Sequence, residues 1–161
     1  MKLTMKLNAK QVLLFILVTI YSCDSSEQDE NTKKNHFILD GVKYSMDELS
    51  SCSKLVGSER WGAGGGKVNP TTGQVEYHLV FWFQGSGAPP IAGTYNVVGT
   101  QTDIVGDVYV HISGATFYLG QSGTVSVTWS NNRPVFKFTN IQLLKGNSGL
   151  ISTLTGEFKC L

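Results

Sequence analysis

The sequence predicts an all-β fold, an antiparallel β-sandwich of about 8 to 10 strands, with a closed β-barrel as the alternative. Apolar and polar side chains alternate with the period of a strand from His36 onward. Glycine, proline and asparagine cluster between the alternating segments, as they do in turns. A helical pattern is confined to the short stretch 46–55. Residues 36–161 are therefore predicted to form a single β-domain, long enough to bury a core.

The first 22 residues have the order of a signal peptide. Lys2, Lys6 and Lys10 precede an apolar run over 12–21, and Ser22-Cys23 follows the run directly. A helix that crosses the hydrocarbon needs about 20 apolar residues, so this run is too short to span a membrane. We expect residues 1–22 to be removed from the mature protein.

Cys23 is the predicted attachment point of a lipid. The residues Ile20-Tyr21-Ser22-Cys23 resemble the lipobox of bacterial lipoproteins, in which the Cys is diacylated and becomes the new amino terminus. The resemblance implies an anchor in the outer membrane, because two or more acyl chains hold a protein there stably. Ordinary signal-peptide cleavage, which would leave Cys23 as a free thiol, is the alternative.

Residues 23–35 are predicted to be a flexible tether, because no apolar side chain follows Cys23 before His36. The acidic cluster Asp24, Glu27, Asp29 and Glu30 is similar to the export signal of Bacteroidetes surface lipoproteins and implies the outer cell surface. A plain soluble linker, with the domain on the periplasmic face, is the alternative.

Strand segments follow one another along the domain, and Asp40-Gly41 predicts a type I′ hairpin turn between the first two. The predicted strands are 36–39, 42–45, 61–68, 74–84, 93–98, 105–113, 115–119, 124–129, 135–144 and 150–159. The side chains that alternate onto one face, and so form the predicted core, are Val75, Tyr77, Leu79, Phe81, Phe83, Val108, Val110, Ile112, Val125, Val127, Trp129, Leu150, Leu154 and Phe158.

Cys52 and Cys160 are the two cysteines of the predicted domain. Export through an oxidising compartment favours a disulfide between them, which would close a loop of about 100 residues. Two separate buried thiols are the alternative.

Composition and motifs argue against several classes of function. Removal of residues 1–22 leaves ten basic and twelve acidic side chains, so the domain lacks a positive surface for nucleic acid. The Gly-rich run 62–66 lacks the spacing of a phosphate-binding loop, and Val68 replaces its Ser or Thr. The three His residues lack the spacing of a metal site, and we expect neither a metal nor another cofactor.

The face opposite the predicted core carries the candidate ligand site. Aromatic and imidazole side chains alternate there with carboxylates, a mixture that can stack on sugar rings and bind their hydroxyl groups. The predicted ligand-binding residues are Glu76, His78, Trp82, Tyr109, His111 and, in the Gly-rich strand, Trp61. The alternative is that a second sheet, the segment 46–55 or a partner protein covers this face.

Short motifs spread over the domain resemble the small uncharacterised β-rich lipoproteins of Bacteroidetes. They are Phe37-Ile-Leu-Asp-Gly41, Ala92-Gly-Thr-Tyr95, Ser122-Gly-Thr-Val-Ser-Val-Thr128 and Leu154-Thr-Gly-Glu-Phe158. The resemblance implies a β-fold and an envelope location, and it carries over no catalytic or binding residues.

Together these observations predict a membrane-anchored, non-catalytic binding or accessory module, with glycans as its candidate ligands. A structural or interaction subunit of a cell-envelope complex is the first alternative. A hydrolase is the second, since Glu76, Asp107 and Glu157 are the main carboxylates of the predicted strands. A closed, lipocalin-like barrel would instead place a ligand in an interior cavity.

Overall fold

Strands alone make up the regular structure of the residues that the computed structural model describes, which are 35–47, 50–55, 58–85, 87–146 and 148–160. They are β1 (His36–Leu39), β2 (Val42–Ser45), β3 (Ser51–Lys54), β4 (Trp61–Val68), β5 (Val75–Phe83), β6 (Gly93–Val98), β7 (Asp107–Gly114), β8 (Tyr118–Ser130), β9 (Arg133–Lys145) and β10 (Leu150–Lys159). The all-β prediction is confirmed. Within this part of the chain, no helix is long and apolar enough to cross a membrane.

The strand predictions differ from the structure in two places. The segment 46–55, the one candidate for a helical pattern, contains strand β3, which pairs with β4 at the edge of the sheet. Residues 118–119 of the predicted strand 115–119 and the whole predicted strand 124–129 belong to one long strand, β8, which begins at Tyr118. Its pairing with β9 shifts register around Ser122, so the glycines that suggested a break form bulges within a continuous strand.

All ten strands belong to one curled sheet, in the order β2-β1-β10-β9-β8-β6-β7-β5-β4-β3. Only β6 and β7 pair in parallel among the described strands. The sheet curls into a half-barrel, so that Phe37 of β1 and Tyr77 of β5 meet with ring centroids 5.7 Å apart. A sandwich has two separate sheets that pack face to face. Here the two packed faces belong to one sheet, and the long strands β8 and β9 connect them.

The core lies inside the curl. Its large aromatic side chains come from strands that are distant in the sheet: Phe81 of β5 stacks on Phe136 of β9 and contacts Phe138 with the two rings tilted by 49°. The fully buried large side chains are Phe37, Phe81, Phe136, Phe138, Phe158, Met46, Leu79, Ile141, Leu143, Leu154, Val108 and Val110. Burial of such a side chain contributes roughly 1.5 to 3 kcal/mol, so this set is the main source of stability.

Three residues of the predicted core are exposed. Val75 is 46% exposed, Trp129 43% and Leu150 61%. Each lies at or next to the end of its strand, where alternation continues along the chain but the opposite side of the curl no longer covers the side chain. The prediction of these three as core residues is wrong for that reason.

Local turn chemistry agrees with the sequence. Asp40 and Gly41 both have positive φ, 50° and 84°, as the predicted type I′ turn between β1 and β2 requires. The predicted disulfide is also present, and it joins Cys52 of edge strand β3 to Cys160 after β10, with their Cα atoms 5.8 Å apart. The disulfide thus connects two regions that the sheet order places far apart. The predicted lipidation site Cys23, the signal peptide and the tether up to residue 34 lie outside the described residues.

Candidate functional site

The outer face of β4, β5 and β7 carries the candidate site. Antiparallel pairing places outward-pointing side chains of these strands in rows across the sheet. The two central rows are Gly62, Trp82 and Tyr109, and Gly64, Val80 and His111. The predicted candidates Trp82, Tyr109 and His111 are therefore direct neighbours, and His78 lies one row further along β5.

A groove of about 250 Å³ runs along this face. Gly62 and Gly64 form its floor, because neither has a side chain to fill the space above β4. The hydroxyl groups of Ser51 and Ser53 on β3 line one side. Apolar groups and two imidazoles line the other side, and they belong to Val80, Trp82, His78 and His111.

The glycines of β4 are required by close backbone packing. A Cβ atom at Gly64 would lie 2.5 Å from the carbonyl oxygen of Leu79, and one at Gly66 would lie 2.1 Å from that of Tyr77. Gly62 differs, because a Cβ atom there would meet only side chains, Leu55 Cδ2 at 3.2 Å and Trp82 Cδ1 at 3.7 Å. The open floor thus results partly from the tight contact between β4 and β5.

Aromatic rings form a continuous cluster beside the groove. The rings of Trp82 and Tyr109 stack with centroids 5.4 Å apart and an interplanar angle of 25°. His111 meets the Trp82 ring edge-on at 5.1 Å and lies 5.9 Å from Phe117, which is 45% exposed. The mutual contacts hold these rings in place, so they offer a preorganised apolar surface.

Two imidazole nitrogens in the groove have no hydrogen-bond partner within the described residues. They are Nε2 of His78 and Nδ1 of His111, and both atoms are buried. Burial lowers the pKa of His78, and burial together with the nearby His78 lowers the pKa of His111. These shifts favour the neutral form of both rings, in which each imidazole can donate one hydrogen bond and accept another. Among the described residues, no group of three or more His, Cys, Asp and Glu side chains is arranged to hold a metal ion.

Three of the predicted ligand-binding residues do not line the groove, and one of them, Tyr109, stacks on Trp82 beside it. Trp61 is only 5% exposed and packs in the core against Phe83 and Phe136, so the prediction that it is an exposed candidate is wrong. The sequence alone does not tell which side chains of β4 point inward, because the outward positions are glycines and give no polar side chains to mark the solvent face. Glu76 is on the outer face beyond His78, and its carboxylate pairs with Nζ of Lys67 at 3.0 Å.

The carboxylates considered for hydrolysis are dispersed. The β5–β7 register places Glu76 and Asp107 near opposite ends of these strands, about 25 Å apart along them. Asp107 accepts a hydrogen bond from Oγ1 of Thr102 at 2.8 Å, and Glu157 pairs with Lys137 on the neighbouring strand. Glu76 and Asp107 are thus too far apart for the roughly 5 to 10 Å separation of a glycosidase pair.

Sequence reasoning missed Ser51, Ser53 and the glycine floor. The segment 46–55 carries a short helical pattern and no strand alternation, so its sequence does not indicate a strand beside β4. A signal for the floor was present, since Gly62, Gly64 and Gly66 recur at every second position and leave one face of β4 bare. Recognising that spacing would have placed a furrow next to Trp82.

Comparison with known proteins gives no relative: no family model, no curated protein and no solved structure matches the chain. The functional argument therefore comes from the groove and from the sequence.

Proposed function

We propose that this protein is a lipid-anchored, non-catalytic binding module of the cell envelope whose outer-face groove holds a glycan. The observation that carries the proposal is the pairing, in one groove, of an aromatic wall with two buried imidazole nitrogens that have no partner. An anchor at Cys23, read from the lipobox-like sequence, would keep the module at a membrane.

The groove offers both kinds of contact that a sugar needs. The apolar face of a sugar ring can lie against Trp82 and Val80, whose neighbours Tyr109 and His111 prevent rearrangement. Sugar hydroxyl groups can bond to the exposed side chains of Ser51 and Ser53 on the other side of the groove. They would reach His78 Nε2 and His111 Nδ1 only if these rings turned, because both nitrogens are buried. A buried polar atom without a partner costs about 1 to 3 kcal/mol, and a bound hydroxyl would remove that cost.

Size and charge narrow the ligand class. A volume of about 250 Å³ is below the range of roughly 300 to 1,000 Å³ typical of drug-sized ligands, so the groove suits a short stretch of a linear glycan. No Lys or Arg lines the groove, and burial disfavours the charged form of both imidazoles, so the groove offers little positive charge to an acidic sugar. We therefore expect neutral glycans to bind in preference to uronic acids or sulfated chains.

The test is binding of the purified protein to a glycan array and to insoluble polysaccharides. Trp82→Ala should weaken binding of any positive glycan by about tenfold or more, because the stacking surface is lost. Trp129→Ala is the matched control, since Trp129 is also a partly exposed tryptophan of the sheet but does not line the groove. Thermal unfolding of each variant shows that the fold is retained.

Gly62→Ala provides a second, independent variant. Its added methyl group would lie between Leu55 and Trp82. It should therefore reduce glycan binding while the rings of Trp82 and Tyr109 stay in place. Binding that is unchanged in both Trp82→Ala and Gly62→Ala would reject the groove as the glycan site. Absence of binding by the unmodified protein would favour the alternative of an envelope interaction subunit, which crosslinking on intact cells would then address.

A further inference from the structure

A run of four rings crosses the outer face of the sheet and continues beyond the groove. Trp82 and Tyr109 stack with centroids 5.4 Å apart, and His111 lies 5.1 Å from Trp82 and 5.6 Å from Tyr109. The fourth ring belongs to Phe117, whose centroid is 5.9 Å from that of His111. Since His111 also lines the groove, Phe117 extends the aromatic wall past it.

The backbone at Phe117 is fixed although its side chain is exposed. Phe117 lies in the connection between β7 and β8, directly before Tyr118. Its carbonyl oxygen accepts a hydrogen bond of 2.8 Å from the amide of Gly146, in the turn between β9 and β10. Its side chain is 45% exposed in spite of the contact with His111. The ring therefore presents apolar surface to solvent from a set position beside the groove.

Exposure alone does not distinguish Phe117, because single exposed apolar side chains are common on protein surfaces. Phe117 and Trp129 are the two most exposed of the Phe, Tyr and Trp side chains that the structure describes. Trp129 lies near the end of β8 and donates its indole N–H to the carbonyl oxygen of Pro90. Phe117 instead precedes the start of β8 and contacts a ring that lines the groove. Its continuity with the groove is what selects Phe117.

Polar groups on the same face suit a neutral ligand. Ser113 is two positions from His111 on β7, so both side chains point outward, and in the strand register Ser113 pairs with His78. It brings a hydroxyl group to the surface beside the aromatic rings. The carboxylate of Glu76, next on this face of β5, is paired with Nζ of Lys67 at 3.0 Å. The surface beyond the groove thus offers apolar rings and a hydroxyl group, as the groove itself does.

The spacing of the rings agrees with the repeat of an extended glycan. The steps from Trp82 to His111 and from His111 to Phe117 are 5.1 Å and 5.9 Å. Each step is close to the length of one sugar unit in an extended chain. A chain of three sugar units is therefore long enough to contact both Trp82 and Phe117, and a disaccharide is one unit shorter.

We propose that Phe117 forms an outer subsite of the groove, where it stacks on a further sugar unit and makes the protein prefer longer neutral glycans. This inference rests on the proposed function, because it extends the same glycan site. Trp82 should contribute to the binding of chains of every length, whereas Phe117 should contribute to the binding of longer chains alone. The outer subsite thus adjusts affinity to chain length.

Titration calorimetry tests the outer subsite with cello-, xylo- and manno-oligosaccharides, each as the disaccharide and the hexasaccharide. Phe117→Ala should weaken hexasaccharide binding by about threefold to tenfold, because one stacking contact is lost, and should leave disaccharide binding unchanged. Phe117→Tyr, which keeps a ring, should bind both lengths as the unmodified protein does. Trp129→Ala is the control for loss of an exposed aromatic side chain and should change neither affinity. Thermal unfolding shows that each variant is folded.

The outcomes separate this inference from the proposed function. Hexasaccharide binding that is unchanged in Phe117→Ala, but weakened in Trp82→Ala, overturns the outer subsite and leaves the groove as the glycan site. An equal loss for both lengths in Phe117→Ala also overturns it, because Phe117 would then act by positioning His111. Absence of binding in all three series overturns the outer subsite, and the glycan array decides separately whether the groove holds a glycan.

Discussion

At the residue scale, His78 and His111 combine two unusual properties. Each has a buried ring nitrogen without a partner, and each has a pKa that burial lowers below the ordinary value of 6.5. Their proximity adds to the effect for His111, because a proton on one ring disfavours a proton on the other. Such residues cost stability in the free protein, which is typical of a site that a ligand completes.

The lowered pKa values predict a pH dependence of the free energy of unfolding. Below about pH 6.5 the unfolded chain binds more protons at these imidazoles than the folded protein does, so acidification through this window lowers stability. Stability should be highest above the unfolded pKa and fall toward the folded pKa values. Urea unfolding at a series of pH values between 7.5 and 5.5 measures this slope.

The double variant His78→Gln with His111→Gln is the control for the pH dependence of the unfolding free energy. It should unfold with a flatter pH dependence, because glutamine does not titrate. An equally steep slope in the double variant would assign the acid sensitivity to other groups.

At the element scale, β4 shows how backbone packing creates a surface feature. Gly66→Ala should destabilise the protein by roughly 1 to 3 kcal/mol, because the new Cβ would lie 2.1 Å from the carbonyl oxygen of Tyr77 and force the strands apart. Gly62→Ala, on the same face of the same strand, should change stability far less, since its new Cβ meets only side-chain atoms. Chemical denaturation gives the unfolding free energy of both variants. Equal losses of unfolding free energy would mean that close contact with the β5 backbone is not the reason why glycine occupies position 66.

At the scale of the whole molecule, the Cys52–Cys160 disulfide joins strand β3 to the chain terminus after β10. It spans a sequence separation of 108 residues, so it removes much conformational freedom from the unfolded chain. The variant Cys52→Ser with Cys160→Ser should lose about 2 to 5 kcal/mol of unfolding free energy, measured by urea denaturation against the oxidised protein. A loss below about 1 kcal/mol would show that the core and the strand pairing maintain the curl without the bond.

Several features of the fold were predictable because they depend on neighbouring residues. Alternation over 75–83 identifies β5 and separates Leu79, Phe81 and Phe83 from His78 and Trp82. The Asp40-Gly41 pair identifies the first hairpin, since few other residues adopt positive φ at low cost. The disulfide was predictable because only two cysteines were available in the domain.

Other features were decided by pairing between distant segments. Alternation assigns a side chain to a face of its strand, but it does not say which strands are neighbours or where the sheet stops covering that face. Val75, Trp129 and Leu150 follow the pattern and are nevertheless exposed, and Trp61 is buried on a strand whose alternate positions are glycines.

By itself, then, the sequence determined an all-β chain, most of its strand limits, its first turn, its disulfide and the side chains that share a face with Trp82. Only the tertiary structure decided that the strands form one curled sheet and that β3 stands beside the glycines of β4 to make a groove. The physical reason is that turns and alternation are encoded within a few residues. The order of strands and the burial of their ends depend instead on contacts between residues that are far apart in the chain, such as Phe37 with Tyr77 and Cys52 with Cys160.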